Sequence, residues 1–283
     1  MLPMTLLTMS SLLWAGSFLA GLLGALTGLG GGVVVVPLLA LGFHVDIRYA
    51  AGASLLSVIA TSSGAAAAYV REGVSNIRLG MLLEIATTIG AVIGAGVAAH
   101  VATGAVAVVF GLVLVAAALA SFWRPPRDRS PAGPPDALAS ALRLDSTYPG
   151  MDGRPIAYRV RRVPSGFGLM FLAGGLSGLL GIGSGAFKVL AMDEVMGLPF
   201  KVSTTTSNFM IGVTAAASAG VYMARGYLDP AIAAPVVLGI LPGALLGARL
   251  LPRMHGRALR RIFAVAISAI AVEMIYQGAT GRL

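Results

Sequence analysis

The 283 residues contain no cysteine, which excludes disulfides, thiolate metal sites and thiol nucleophiles. Charge is almost as scarce, at 11% of residues against roughly a quarter in ordinary soluble domains. The three histidines, His44, His100 and His255, stand near the ends of apolar runs without an H-E-x-x-H spacing, so a metal centre has no ligand set. No trio of nucleophile, base and orienting group emerges either, and the chain reads as no enzyme, with no cofactor implied. What is abundant instead is apolar surface, 57% of residues, together with 38 glycines. Such a chain dissolves in lipid, and a soluble globular protein is ruled out.

Twenty residues are Lys or Arg and eleven are Asp or Glu, a net charge of +9. In a soluble chain this excess would suggest nucleic acid; here most of it lies between apolar runs, and eight arginines (Arg124, Arg127, Arg129, Arg143, Arg154, Arg159, Arg161 and Arg162) fall in one central segment. That pattern is the one expected of a loop retained in the cytoplasm, so membrane orientation explains the basicity and no nucleic-acid partner is expected. The amino terminus lacks a basic leader, and its apolar run passes any small-residue cleavage site, so it is read as part of the first membrane segment.

Apolar stretches run at about 5–42, 49–70, 79–99 and 104–123, then at about 165–190, 203–223, 231–251 and 262–277, all but the last at or beyond the roughly 20 residues that span a bilayer. Between the two groups, 124–164 is rich in proline and charge and cannot span. The expected organisation is therefore a first transmembrane repeat at 1–123, a polar cytoplasmic linker at 124–164 and a second repeat at 165–283, in an all-α polytopic protein of the cell membrane. Within the linker, Ile156, Tyr158, Val160 and Val163 alternate loosely with polar residues, as in a short strand.

A shift of 153 residues lays Gly28-Leu29-Gly30-Gly31-Gly32 on Gly181-Ile182-Gly183-Ser184-Gly185. The same shift pairs Arg48 with Lys201, Ser54 with Ser207, Tyr69 with Tyr222, Gly73 with Gly226, Gly90 with Gly243 and Gly94 with Gly247. This is the pattern of an internal duplication, and duplicated halves with glycine-interrupted segments point to a secondary transporter whose site lies between them near the midplane. Arg71 and Arg78 flank one loop of the first half, and Arg253, Arg257, Arg260 and Arg261 cluster in a later loop of the second. If both clusters and the linker are cytoplasmic, each half crosses an odd number of times. One segment per half must then enter and return. The glycine-broken first segment is the candidate, and inverted repeats follow.

Four glycines in five residues cost about 1 kcal/mol each against alanine in a helix, so a bare backbone is needed there. A helix restarting after such a break offers unpaired N–H groups and a positive dipole end to an anion; the alternative is close packing through small residues. Gly30, Gly31 and Gly32, with Gly183, Ser184 and Gly185, form one part of the candidate substrate site. A dinucleotide site is unsupported, since the full G-x-G-x-x-G context is missing. Lys188 follows Gly185 by three positions, and an intramembrane lysine is costly unless it is paired or functional. It either complements an anion, or snorkels, or pairs with Asp193 or Glu194. Ser54, Thr206, Ser207 and Asn208 lie where several donors replace the hydration shell of an oxyanion. Thr61, Ser62 and Ser63 are assigned to their own helix backbone, and Gly90-x-x-x-Gly94 and Gly243-x-x-x-Gly247 to helix packing. Glu84 and Glu273 could relay protons if buried, but both lie within about two turns of a span boundary, where a solvated head group is the favoured reading over a coupling role.

The stretches Gly181-Ile-Gly-Ser-Gly-Ala-Phe-Lys-Val and Leu198-Pro-Phe-Lys-Val-Ser-Thr-Thr-Thr-Ser-Asn-Phe-Met-Ile-Gly-Val-Thr resemble the second-half signature of the TauE/SafE family of membrane permeases. The first-half motif falls on Gly30, Gly31, Gly32 and Pro37, with Ala53-Ser54 where many members place Thr-Ser. Ser184 replaces a middle glycine and Leu190 a common proline, so a different local kink is expected there. The resemblance implies transport of a small sulfur-containing anion, such as sulfite or an organosulfonate, as export. The alternatives are an assembly or receptor protein whose glycines serve only packing, and a carrier of an unrelated small ion. The expected partners are a small anion and the lipid bilayer. The coupling ion (proton or sodium), the direction and the oligomeric state stay open.

Overall fold

The computed structural model describes residues 6–27, 31–71, 73–122, 136–149, 154–183, 185–250 and 256–281. The first part of the chain forms α1 (Leu6–Thr27), α2 (Gly32–Pro37), α3 (Ile47–Arg71), α4 (Ile77–Ala98) and α5 (Thr103–Phe122). A short helix α6 (Ala137–Ala141) and a two-stranded antiparallel hairpin, β1 (Ser146–Pro149) with β2 (Pro155–Tyr158), precede the second set. That set is α7 (Val163–Leu180), α8 (Gly185–Leu190), α9 (Phe200–Ala224), α10 (Pro230–Leu250) and α11 (Gly256–Thr280). The starts of α2 and α8, α3 and α9, α4 and α10, and α5 and α11 are each 153 positions apart.

Polar caps and prolines set these starts. Asn76 accepts from the Leu79 N–H at 3.1 Å, Asp46 from Arg48 at 2.9 Å and Asp229 from Ala231 at 2.8 Å, each satisfying an orphan donor of α4, α3 or α10. Pro164 and Pro230 occupy first-turn positions, where a missing N–H costs nothing. α2 and α8 each continue into one widened, π-helical turn, Leu38–Gly42 and Ala191–Val195. In the first case Pro37 immediately precedes the widening; in the second, Leu190 does. The different kink expected from the missing proline is not observed.

The outside of the molecule is apolar. Met81, Ile85, Ile89, Val92 and Ile93 of α4, Leu172 of α7 and Leu238 and Leu245 of α10 are exposed, while Lys188 and most of the α9 hydroxyls are buried. This inversion of the soluble pattern is what a lipid solvent selects. Among the described residues, Ile77–Ala98, Val163–Leu180 and Pro230–Gly247 are long and apolar enough to cross a membrane. The 25-residue helices α3 and α9, with many internal hydroxyls, pack against each other and line the interior.

Glycine sets how closely the helices approach. A side chain on Gly90 would strike the Phe171 carbonyl and one on Gly94 that of Gly175, so α4 and α7 lie parallel with their backbones touching. Gly239 and Gly243 meet the carbonyls of Trp14 and Phe18 in the same way, pairing α10 with α1, also in parallel. α3 and α9 run antiparallel, because Gly52 near the start of α3 meets Tyr227 beyond the end of α9, while Asn76 beyond α3 bonds Thr206 near the start of α9. Gly104 meets Gly278, so α5 and α11 are antiparallel as well.

Both before and after the linker, the first apolar stretch folds back on itself. The Arg161 N–H donates to the Met196 carbonyl at 3.0 Å, and Met196 packs on Gly166, so the chain returns after α8 to the end where α7 began. Leu38 lies against Gly16 and Gly31 near Gly21, which gives α1 and α2 the same hairpin sense. The linker hairpin sits at the α4, α7 and α9 start. There Asn76 donates to the Leu144 carbonyl and the Tyr158 hydroxyl, over a cluster of Leu79, Leu83, Tyr158, Val160 and Met192.

Candidate functional site

The second glycine break turns on two residues with left-handed backbone, Gly181 (φ +70°) and Gly183 (φ +72°). Both positions also exclude a side chain: a Cβ on Gly181 would run into the Ala51 backbone and one on Gly183 into Val58 and Ile211. Val58 and Ile211 lie near the mid-length of α3 and α9, so the break reaches the centre of the helical layer.

The two breaks meet at Ser54. Its hydroxyl donates to the Gly181 carbonyl at 2.8 Å and lies 3.3 Å from the Gly32 carbonyl, so one buried side chain of α3 touches both hairpins. Ser207, in the matching place on α9, donates to the Gly185 carbonyl at 3.2 Å. Gly31, Gly32, Gly183 and Gly185 are all buried around these two hydroxyls. Gly30 and Ser184 lie outside the described residues. Thr206 points elsewhere, accepting from the Asn76 N–H at 3.0 Å and packing against Gly80, so it holds α4 to α9. Asn208 is half-buried on a third face of α9.

Lys188 is completely enclosed. Its Nζ donates to the Thr214 hydroxyl at 2.5 Å, and Thr214 donates its single proton to Glu84 Oε1 at 2.6 Å. The second carboxylate oxygen of Glu84 lies 3.8 Å from Nζ and has no hydrogen-bond partner. The counter-charge at Lys188 is Glu84 of α4, from the other side of the linker, and not a sequence neighbour such as Asp193 or Glu194. Thr214 stands seven residues after Ser207, two turns on and on the same face, which joins the ion pair to the hydroxyl site. Thr88 adds a bond to Glu84 Oε1 at 3.2 Å. Thr214 could have been found from that spacing; Glu84 carries no local signal of its burial.

Among its described residues, the arrangement has no nucleophile poised against a base. It consists of a broken backbone at mid-depth, two hydroxyls and one cation, enclosed by helices whose outer faces are apolar: the layout of a polytopic membrane transporter. Two curated relatives from Bacillus subtilis (strain 168) carry that description. The chain is 28% identical over 274 residues to the probable membrane transporter protein YunE, covering 92% of this chain and 95% of that one. It is 25% identical over 233 residues to the probable membrane transporter protein YdhB, covering 82% and 86% respectively. The family described as "Sulfite exporter TauE/SafE" matches residues 13–274, and the chain belongs to that family. No solved structure matches it.

Proposed function

We propose that this transporter moves a small sulfur-containing oxyanion, such as sulfite or an organosulfonate, bound between two glycine-broken hairpins. The observation that carries the reading is the convergence at Ser54 of the Gly32 and Gly181 carbonyls, with the enclosed Lys188 of α8 bonded to Thr214, two helical turns from Ser207 along α9. The binding groups are the Gly30–Gly32 and Gly183–Gly185 backbone, the hydroxyls of Ser54 and Ser207, and the Lys188 ammonium, with Thr206 and Asn208 flanking. When the hairpins separate, each serine exchanges its carbonyl acceptor for an oxyanion lone pair, which keeps the hydroxyl satisfied in both states. The matched element starts and the antiparallel packing of α3 on α9 support two inverted repeats, the architecture in which one half rocks against the other around a fixed central site. The linker end carries Arg143, Arg154 and Arg159 and is the cytoplasmic one on this reading.

Flux of sulfite, sulfoacetate and methanesulfonate into proteoliposomes tests this directly. A hydrogen bond to a charged ligand is worth about 1.5–3 kcal/mol, so Ser54→Ala and Ser207→Ala each weaken apparent affinity roughly ten- to hundredfold. Lys188→Met in a Glu84→Gln background, which leaves no buried charge unpaired, abolishes transport. Flux that survives all of these substitutions sinks the assignment of the site.

A further inference from the structure

We propose that Glu84 is the proton-binding residue of the transport cycle: its protonation releases Lys188 for the substrate anion, so that one proton travels with each anion. The inference rests on the anion-transport reading above and goes beyond it by assigning the coupling ion and the residue that binds it. In the enclosed state the Lys188 charge is already taken, since Thr214 accepts a hydrogen bond from its ammonium and the Glu84 carboxylate balances its charge at 3.8 Å. An incoming anion competes with that carboxylate for the same cation. A neutral Glu84 ends the competition and still accepts the Thr214 proton on Oε1. The oxygen that would carry the added proton, Oε2, is the one left without a partner.

Among the described residues, no other side chain packed around Glu84 supplies a rival charge. α7 has no titratable side chain between Val163 and Leu180. On α9, Lys201 is exposed at the linker end, and Tyr222 bonds the Gly178 and Leu179 carbonyls towards the other end. Asp193 and Glu194 sit in the widened turn after α8, neither as deeply buried as Lys188, and Arg78 of α4 itself is exposed. The charge pair also occurs once rather than twice: the positions 153 residues away from Lys188, Thr214 and Glu84 are Val35, Thr61 and Val237. The balance is closed. Glu84 takes up one proton as Lys188 takes up one monoanion, both leave on the far side, the ion pair re-forms, and no net charge has crossed.

The test uses the full-length protein in proteoliposomes with a trapped pH indicator and methanesulfonate, sulfoacetate and sulfite as probes. Methanesulfonate keeps one charge across the working range, so its pH dependence reports the protein. Wild-type protein acidifies the lumen as anion enters. One-for-one linkage also raises its apparent Kd about tenfold per pH unit wherever binding takes up one proton. Glu84→Gln binds at pH 8 as tightly as wild type does when protonated, shows no pH slope and moves anion without protons, while Glu84→Asp restores the slope. Anion flux in the wild type without proton movement, or a slope that persists in Glu84→Gln, overturns the coupling role and leaves the transport reading standing. Absence of flux for all three probes in the wild type overturns both. Monodisperse elution and a cooperative thermal unfolding transition of Glu84→Gln, lowered because Lys188 loses its counter-charge, separate loss of coupling from loss of fold.

Discussion

A lysine and a glutamate removed from water inside this molecule keep only part of what hydration gave them: one hydroxyl bridges them, and one carboxylate oxygen faces the ammonium at 3.8 Å without a hydrogen bond. Breaking such a pair from one side is expensive, because the survivor is an uncompensated buried charge, whereas replacing both members is close to neutral. Lys188→Met alone is therefore expected to lower stability by about 3–5 kcal/mol near neutral pH, and Lys188→Met with Glu84→Gln to return to wild-type stability or above. Thermal unfolding in detergent at pH 7.5 measures both, and a single variant as stable as wild type would mean that Glu84 is uncharged at rest. Lysine inside an apolar run is conspicuous in sequence, so Lys188 is legible as a residue that needs a partner, and Ser54 and Ser207 as positions matched in spacing. Glu84 was not legible. A count along the chain places it two turns inside α4, where a side chain reaches water in an isolated helix, and only the packing of α7, α8 and α9 around it removes that route.

Elements show the same division between local and tertiary information. Proline and glycine positions, caps and apolar runs carry the helix starts and both chain breaks, because those signals act within a few residues. The alternation at Ile156 and Tyr158 carries β2, whose partner strand Ser146–Pro149 has no comparable pattern and exists through pairing. The widened turn after Leu190 arises without the proline that precedes its counterpart, so it is imposed by the return of the hairpin on α7. The linker is held to the helical layer by Asp136, which caps α6 through the Leu138 and Ala139 N–H groups and also accepts from Val163 at the start of α7. Desolvation opposes ionisation of this carboxyl. The backbone donors of Ala139, Val163, Leu138 and Arg162 outweigh it and hold the carboxyl below its ordinary value of 3.8. A depressed carboxyl stabilises the folded form above its unfolded value and loses that contribution as pH falls through the folded value. Hydrogen exchange at Leu138, Ala139 and Val163 should accordingly speed up, relative to the intrinsic rate, once pH drops below about 4. Asp136→Asn should remove that step, and equal pH profiles for the two proteins would show that the linker is held by its apolar contacts alone.

At the scale of the molecule, the packing places the starts of α4, α7 and α9 and the linker hairpin at one end. The ends of α4 and α9 and the start of α3 lie at the other. If the halves are inverted repeats, residues at matching positions face opposite sides of the membrane; if they are parallel, they face the same side. The two arrangements differ in a way that an absence in the sequence makes easy to read: with no native cysteine, a single introduced one is the only thiol. Arg143 and Lys201 are exposed at the linker end, and His44, His100 and Arg225 at the other. Five variants, Arg143→Cys, Lys201→Cys, His44→Cys, His100→Cys and Arg225→Cys, expressed in intact cells, should sort into two groups under a membrane-impermeant maleimide. The first two are protected until the membrane is permeabilised, and the last three are labelled at once. His44 and Lys201 carry most of the decision, because each marks the approach to the helix that follows its glycine-broken hairpin, α3 and α9 respectively. Labelling of both from the same side would require α3 and α9 to run parallel, against the Gly52–Tyr227 and Asn76–Thr206 contacts. The central site would then no longer be reached by equivalent paths from the two sides of the membrane, and alternating access by rocking one half on the other would lose its geometric basis.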